Sequence, residues 1–352
     1  MIKVLGLALY GPLAASTRYR LGQYVPGLAS MGIELTVVHL LGDDYLRRRF
    51  SGGPLPLASV ARDVLSRIAD LIHLKRYDLA FVYCELFPLM PSWLEIGLMG
   101  RPYIYDFDDA FYLKYRNVNV GPMKPLLDKK FENMVRCATT VTAGNKVLEQ
   151  FALKLNPKTL ILPTVVDTHR FLPRRLLASG DHFTIGWIGS PSTSRYLSQL
   201  ALPLSELGRE GPVRFLVVGG SAPAIPNVDV IEVAWREDTE VELLNQFDVG
   251  VMPLPDDDWA RGKCAFKLIQ YMACGVAVVA SPVGANVDVV SSGTGFLASN
   301  SEEWLGALRE LRDNPVSRWR LGEHGRDRVV ANYSLARNLP KMASLIHEAT
   351  SR

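Results

Sequence analysis

The densest set of side chains able to do chemistry lies in Arg261-Gly262-Lys263-Cys264-Ala265-Phe266-Lys267-Leu268-Ile269-Gln270-Tyr271-Met272-Ala273-Cys274-Gly275. If Lys263 or Cys264 opens a helix that Gly275 ends, then Lys263, Lys267, Gln270 and Cys274 share one face, at spacings of four, three and four. The opposite stripe, Phe266, Ile269 and Met272 or Ala273, is apolar and packs on a sheet. Free N–H groups at a helix amino terminus add their partial positive charge to two ammonium groups, which makes a seat for a pyrophosphate. Gln270, one turn deeper, can hydrogen-bond a sugar hydroxyl. A solvated basic face on an amphipathic helix gives the same spacing.

A small-residue loop follows a strand-like run in Ile185-Gly186-Trp187-Ile188-Gly189-Ser190-Pro191-Ser192-Thr193-Ser194-Arg195. Gly189 and Ser190 let the backbone approach an anion closely, and Arg195 offers a planar two-pronged contact. A plain helix cap accounts for the serines as well. Gly11-Pro12-Leu13-Ala14-Ala15-Ser16-Thr17-Arg18-Tyr19-Arg20 makes the same strand-loop-helix turn near the start of the chain. No second or third glycine follows Gly11 at the GxGxxG spacing, which disfavours NAD or FAD. Arg18 and Arg20 point to different faces, so at most one of them reaches a ligand.

Tyr105-Asp106-Phe107-Asp108-Asp109 stands at the carboxyl end of another strand-like run, where open sheets display functional groups. Carboxylates this close can bind a divalent ion, act as base or acceptor-hydroxyl contact, or cap the next helix. A cap accounts for one of the three, which leaves Asp108 and Asp109 as site candidates. The six histidines show no HExxH or clustered spacing, so no metal site is expected from them. Tyr45-Leu46-Arg47-Arg48-Arg49-Phe50 and the stretch 61–76 are basic and partly amphipathic. Such a surface suits anionic lipid headgroups, although a solvated helix face is the plainer reading.

Alternating strands and helices have to position these residues. Apolar runs at 4–9, 33–39, 79–83, 103–105, 139–142 and 159–162 are separated by stretches long enough for crossover helices. Runs apolar throughout are what a parallel sheet buried on both faces requires. After the polar segment 167–175 the pattern restarts, with runs at 183–188, 214–218, 228–233, 249–253, 276–280 and 295–297. Two doubly wound α/β domains follow, with a boundary near 170–182 and a cleft facing the carboxyl ends of both sheets. The tail 304–352 reads as helices alone. Length agrees, since 352 residues at about 150 per domain make two.

Composition narrows the function classes. With 48% hydrophobic and 21% charged residues the chain is neither disordered, collagen-like nor a coiled coil. Lys+Arg of 39 against Asp+Glu of 36 leaves +3, and no nucleic-acid partner is expected. Cys84, Cys137, Cys264 and Cys274 make no CxxC pair and are too sparse to staple the chain, which points to a reducing compartment. No run approaches the about 18 apolar residues of a transmembrane helix. The start imitates a signal peptide, but Gly11-Pro12 breaks the apolar run and Arg18 and Arg20 follow, so residues 3–9 read as a first strand. A cytoplasmic location is expected, with the basic segments at the inner face of an anionic membrane as a further contact.

The loop 11–20, Val141-Thr142-Ala143-Gly144-Asn145, Leu162-Pro163-Thr164-Val165-Val166-Asp167, the run 185–189 and above all Tyr271-Met272-Ala273-Cys274-Gly275-Val276-Ala277-Val278-Val279-Ala280-Ser281 carry a resemblance over nearly the full chain. In these residues the sequence resembles the retaining family 4 glycosyltransferases, which have the GT-B fold of two facing Rossmann-like domains. The resemblance implies an acceptor domain at 1–175, completed by a C-terminal crossover helix at about 333–352, and a nucleotide-sugar donor domain at 176–332. The family usually carries two glutamates separated by seven residues, and those positions are Gly262 and Gln270 here. Gln270 keeps an acceptor oxygen for a ribose hydroxyl, whereas Gly262 has no side chain to offer the donor sugar. The family's basic pair after the first strand of the second domain begins near Ser190, which leaves Arg195, with Lys263 and Lys267 able to compensate.

The implied activity is transfer of a hexosyl group from a nucleoside-diphosphate sugar to a saccharide or lipid-linked acceptor, in polysaccharide or glycoconjugate biosynthesis. It proceeds with retention, no protein nucleophile, no cofactor and no obligatory metal. Arg195, Lys263, Lys267 and the helix amino terminus would stabilise the leaving diphosphate, while a phosphate oxygen helps remove the acceptor proton. Asp108 or Asp109 would orient the acceptor hydroxyl, with Gly11 and Arg18 on the acceptor side and Gly189 and Ser190 on the donor side. Three rivals use the same residues. A metal-dependent GT-A transferase would read Asp106-Phe107-Asp108 as DxD but leaves the second α/β domain unexplained. A nucleotide-sugar 2-epimerase would bind the same donor and need no acceptor. A catalytically silent nucleotide-sugar-binding subunit would account for Gly262 and Gln270.

Overall fold

All twelve apolar runs become strands, each within two residues of its expected bounds. The computed structural model describes residues 1–54, 56–116, 120–173 and 181–351. The chain divides into two compact units. Unit 1 comprises Met1–Val165, Gly262–Cys264 and Leu335–Arg352, and unit 2 comprises Val166–Arg261 and Ala265–Ser334.

Unit 1 is built on a six-stranded sheet of β1 (Ile2–Tyr10), β2 (Ile33–Leu41), β3 (Leu79–Tyr83), β4 (Tyr103–Phe107), β5 (Thr140–Ala143) and β6 (Thr159–Ile161), in the order β2-β1-β3-β4-β5-β6. Every neighbouring pair is parallel. All residues of β3, β4 and β5 are buried, because helices cover both faces and no strand position is left to water. The order reverses between β1 and β3. Loops leaving the carboxyl ends of strands on either side of such a reversal diverge and open a crevice, so the turns after β1 and β3 are where this sheet presents a ligand site.

Unit 2 repeats the architecture with β7 (Phe183–Ile188), β8 (Val213–Val218), β9 (Asp229–Val233), β10 (Val249–Met252), β11 (Ala277–Ala280) and β12 (Gly295–Leu297), in the order β12-β11-β10-β7-β8-β9, again all parallel. Its reversal lies between β7 and β10. The core beside β7 gathers Trp187, Leu197, Phe215, Val251 and Leu308, each no more than 2% exposed. Burial of side chains this large is the main stabilising term, roughly 1.5–3 kcal/mol for each of the aliphatic and phenyl groups.

The units part at Val165/Val166, ten residues before the 175/176 boundary read from the sequence. The polar segment after Val165 is held by unit 2: Val166 pairs with Ser334, and the Arg326 guanidinium donates to the carbonyls of Phe171 (2.7 Å) and Thr168 (3.2 Å). Residues 174–180, on which the expected boundary falls, lie outside the described residues. The tail is helical at Ser301–Asp313, Pro315–Asn332 and Leu335–Thr350. The last of these belongs to unit 1, where it packs on β3 and β4.

Candidate functional site

In unit 2 the turn after β7 brings together Gly189, Trp187 and Lys267. The Lys267 ammonium stands 5.4 Å from the centre of the Trp187 ring. A Cβ at Gly189 would lie 2.5 Å from the Trp187 ring and 2.7 Å from Lys267 Cε, so only glycine lets the loop pass under the lysine. Gly219, which leaves β8 at φ +79°, crowds the same spot: a Cβ there would lie 2.4 Å from the Gly189 carbonyl oxygen. The result is a bare backbone surface beside a half-buried ammonium at the carboxyl end of β7. The Gly189 and Gly219 N–H groups donate to the carbonyls of Val218 (3.0 Å) and Val233 (2.8 Å), so the positive group this turn offers an anion is the Lys267 ammonium.

Ser190 stands next to this group, with its hydroxyl 2.9 Å from that of Ser192. Arg195 is exposed and leans on its neighbour, its guanidinium 5.1 Å from the Tyr196 ring centre and 3.2 Å from the Tyr196 hydroxyl. Gln270 is buried, and its Nε2 donates to Glu240 Oε1 at 3.0 Å. Glu240, 2% exposed, also accepts from Trp235 Nε1 at 3.1 Å, and its second oxygen faces Arg170 at 3.2 Å. A carboxylate between three donors can only accept, so it draws the amide nitrogen of Gln270 toward itself and turns the amide oxygen away.

Lys263 does not belong to the helix that carries Lys267 and Gln270. That helix starts at Phe266, preceded by Ala265 at φ +54°, so the shared face expected from Lys263 to Cys274 is lost at its first member. The physical cause is the pull of unit 1 on Gly262–Cys264. Asn145 Nδ2 donates to the carbonyls of Gly262 (2.8 Å) and Lys263 (3.1 Å), and the Cys264 thiol donates to the Asp108 carbonyl (2.9 Å). Burial pushes the Cys264 thiol well above the usual range, which keeps it a donor. Gly262 packs so closely that a Cβ would lie 2.6 Å from Ala110 Cβ and 2.9 Å from its backbone nitrogen. No larger residue fits there without a shift of that turn.

Freed from the helix, Lys263 reaches Asp109, Nζ to Oδ1 3.4 Å. Asp108 Oδ1 accepts from the Tyr83 hydroxyl at 2.5 Å, and Oδ2 accepts from Thr164 at 3.3 Å. Burial and the neighbouring Asp108 carboxylate push the Tyr83 hydroxyl well above its ordinary range, so it stays protonated and donates. Asp106 is turned the other way. It is fully buried in a two-pronged ion pair with Arg20 and accepts from Thr142 at 2.6 Å. Asp106 and Asp108 therefore do not act as a DxD pair, and the two aspartates kept as candidates, Asp108 and Asp109, are the half-exposed ones.

The turn after β1 is closed rather than open. The Asp43 carboxylate accepts from Leu13 N at 2.9 Å, and a Cβ at Gly11 would meet its Oδ1 at 2.5 Å. Arg18 folds back onto the same turn, donating to the carbonyls of Pro12 (2.6 Å) and Leu13 (2.9 Å). Both acceptor-side candidates thus shape this loop. Asp43, Tyr83, Gly219 and Glu240 escaped sequence reasoning. Glu240 and Glu242 are alike in sequence, and only burial separates them.

Two parallel six-stranded sheets with flanking helices define the GT-B class of glycosyltransferase fold. Residues 182–314, most of which lie in unit 2, match the family described as Glycosyl transferases group 1. Over the whole chain the fold is similar to sucrose-phosphate synthase from Thermosynechococcus elongatus, with a TM-score of 0.70, 15% identity and 100% of each chain covered. It is similar to HepE of Anabaena, solved in complex with UDP and glucose, with a TM-score of 0.72, 14% identity and 99% and 100% of the two chains covered. A glycosyltransferase from Rickettsia africae gives 0.71, 15% identity and 99% and 98% coverage. At such identities the likeness establishes the fold. No curated protein matches the chain. Among the described residues no helix is long and apolar enough to cross a membrane.

Proposed function

We propose that the protein transfers a sugar from a nucleoside-diphosphate sugar to a saccharide or lipid-linked acceptor, with retention and without an obligatory metal. The observation that carries this reading is the group Gly189, Gly219 and Lys267 beside Trp187, at the order reversal of the second sheet. An ammonium beside two glycines that leave room for a ligand suits a diphosphate whose negative charge grows as the glycosidic bond breaks, and a fixed cation there stabilises that charge more than the ground state. Gln270, its amide set by Glu240, offers Oε1 to a ribose hydroxyl. Asp108, held by Tyr83 and Thr164, orients the acceptor hydroxyl, and Lys263 pairs with the neighbouring Asp109. Ser190 and Arg195 complete the donor side. The UDP and glucose seen with HepE make UDP-glucose the first donor to try.

The test is incubation with UDP-glucose in the presence of a chelator, with and without mixed glycan acceptors, following UDP release and the anomeric configuration of the product by NMR. Slow release without acceptor and an α product support the reading. A β product overturns retention, and release only on addition of a divalent ion overturns metal independence. A second reading has its own observation: Gly262 is packed against Ala110 and can present no carboxylate, which suits a subunit that binds nucleotide-sugar and turns nothing over. That reading predicts tight UDP-glucose binding and no UDP release under any condition.

A further inference from the structure

Two neighbouring helices of unit 1 bury polar groups and expose apolar ones. In Leu57–His73 the residues Leu65, Ile68 and Ile72 are 67%, 40% and 63% exposed, at spacings of three and four that place them on one stripe. Beneath that stripe the same helix buries Arg67. In Ser92–Met99, Trp93, Leu94 and Leu98 are 64%, 37% and 44% exposed, while Ser92 and Glu95 are buried. The sheet order β2-β1-β3-β4 makes the β2-to-β3 and β3-to-β4 connections run in the same direction, so right-handed crossovers put both helices on one face of the sheet. Their carboxyl ends are tied together, since Arg101 Nη2 donates to the Lys75 carbonyl at 2.9 Å. An apolar patch of this kind, including a tryptophan, marks a docking surface.

Charge decides what docks. Arg62, Lys75, Arg76 and Arg101 are all exposed along these helices and the turns that follow them. Of the carboxylates in the same stretches, Asp63, Asp70 and Glu95 are half-buried or buried and Asp63 already faces Arg62 at 3.7 Å, while the exposed Asp78 accepts from the Lys3 backbone N–H at 2.8 Å, which leaves four exposed cations against one exposed carboxylate. A second copy pairing through this patch would set it against itself and bring like charges together. An anionic bilayer complements both features: the apolar stripe enters the headgroup boundary and the cations stay at the phosphates. We propose that the outer face of Leu57–His73 and Ser92–Met99 seats the protein on an anionic membrane surface. This proposal stands independently of which sugar or acceptor the protein uses.

The experiment is co-sedimentation of the full chain with vesicles of phosphatidylcholine alone and of phosphatidylcholine mixed with phosphatidylglycerol. Binding is expected to the mixed vesicles only, to weaken with salt, and to fall at least about tenfold in the combined variant Leu65→Ser, Ile72→Ser, Trp93→Ser, whose melting temperature should stay that of the wild type. The charge variant Lys75→Glu, Arg76→Glu leaves the apolar stripe intact and should lose the preference for anionic lipid. Failure to bind either vesicle, or binding unchanged in both variants, overturns the proposal. So does a dimer in sedimentation velocity that the apolar variant abolishes, which would assign the patch to a second copy.

Discussion

Glu240 and Gln270 acquire their meaning only through what they touch. In sequence Glu240 is one of two glutamates on the short helix Glu240–Leu244, but the fold drives it under Trp235 and Arg170 and makes it the partner that sets the Gln270 amide. Glu240→Ala should therefore weaken UDP binding about tenfold, the size of one lost hydrogen-bonded positioning contact, and leave inorganic pyrophosphate binding unchanged by calorimetry. Equal losses for both ligands would make Glu240 a general support of the unit. Gly262 is set by space rather than by chemistry. Gly262→Ala should lower stability by about 1–3 kcal/mol, read from the urea midpoint, because its Cβ must displace the Ala110 turn. The candidates Lys267, Gly189 and Asp108 were legible because residue type and position after a strand already limit their use. Lys263 was legible as a charge but not in its place, since a left-handed Ala265 is invisible in the sequence.

At the level of elements the strands were the most legible feature, because a run buried on both faces must be apolar at every position. Their order was not, as it depends on which crossover passes over which strand. The turn after β3 shows a device that composition conceals. Glu85 is buried there and takes ion pairs from Lys114 and Lys130, and Lys130 also meets Glu95 at 2.9 Å. Burial works against the Glu85 carboxylate, yet the two ammonium groups hold it below its ordinary range. Removing one partner from a buried network leaves an unpaired charge, so Lys130→Met should cost about 3–5 kcal/mol in urea unfolding. A cost under about 1 kcal/mol would show that water or relaxation satisfies Glu85 and Glu95 instead.

For the whole molecule, sparse cysteines and two sheets combine into a statement about accessibility. Burial pushes the Cys84 and Cys264 thiols well above the usual range and Cys274 up to about 12, whereas Cys137 is exposed. The thiolate is the reactive form and persists only above such values, so at about pH 8 a disulfide reagent should titrate one thiol of four in the native protein and all four in urea. Two or more fast thiols in the native protein would contradict the packing around the Gly262–Cys264 segment or the helix Phe266–Ala273. The two-domain α/β plan was legible from the restart of the strand pattern after residue 167, and the division itself lies ten residues before the expected 175/176 because Val166 and Phe171 are claimed by unit 2.

The proposed donor site rests on Lys267, beside Gly189, as the seat of a nucleotide-sugar's diphosphate. Calorimetric titration of UDP, GDP, ADP and TDP into the wild-type chain and Lys267→Ala, with chelator present, tests it most directly. At least one nucleotide is expected to bind without metal, with an affinity that falls about 10- to 100-fold in the variant, the range of a lost charged contact. Binding by none of them, or the same affinity in both proteins, would contradict it.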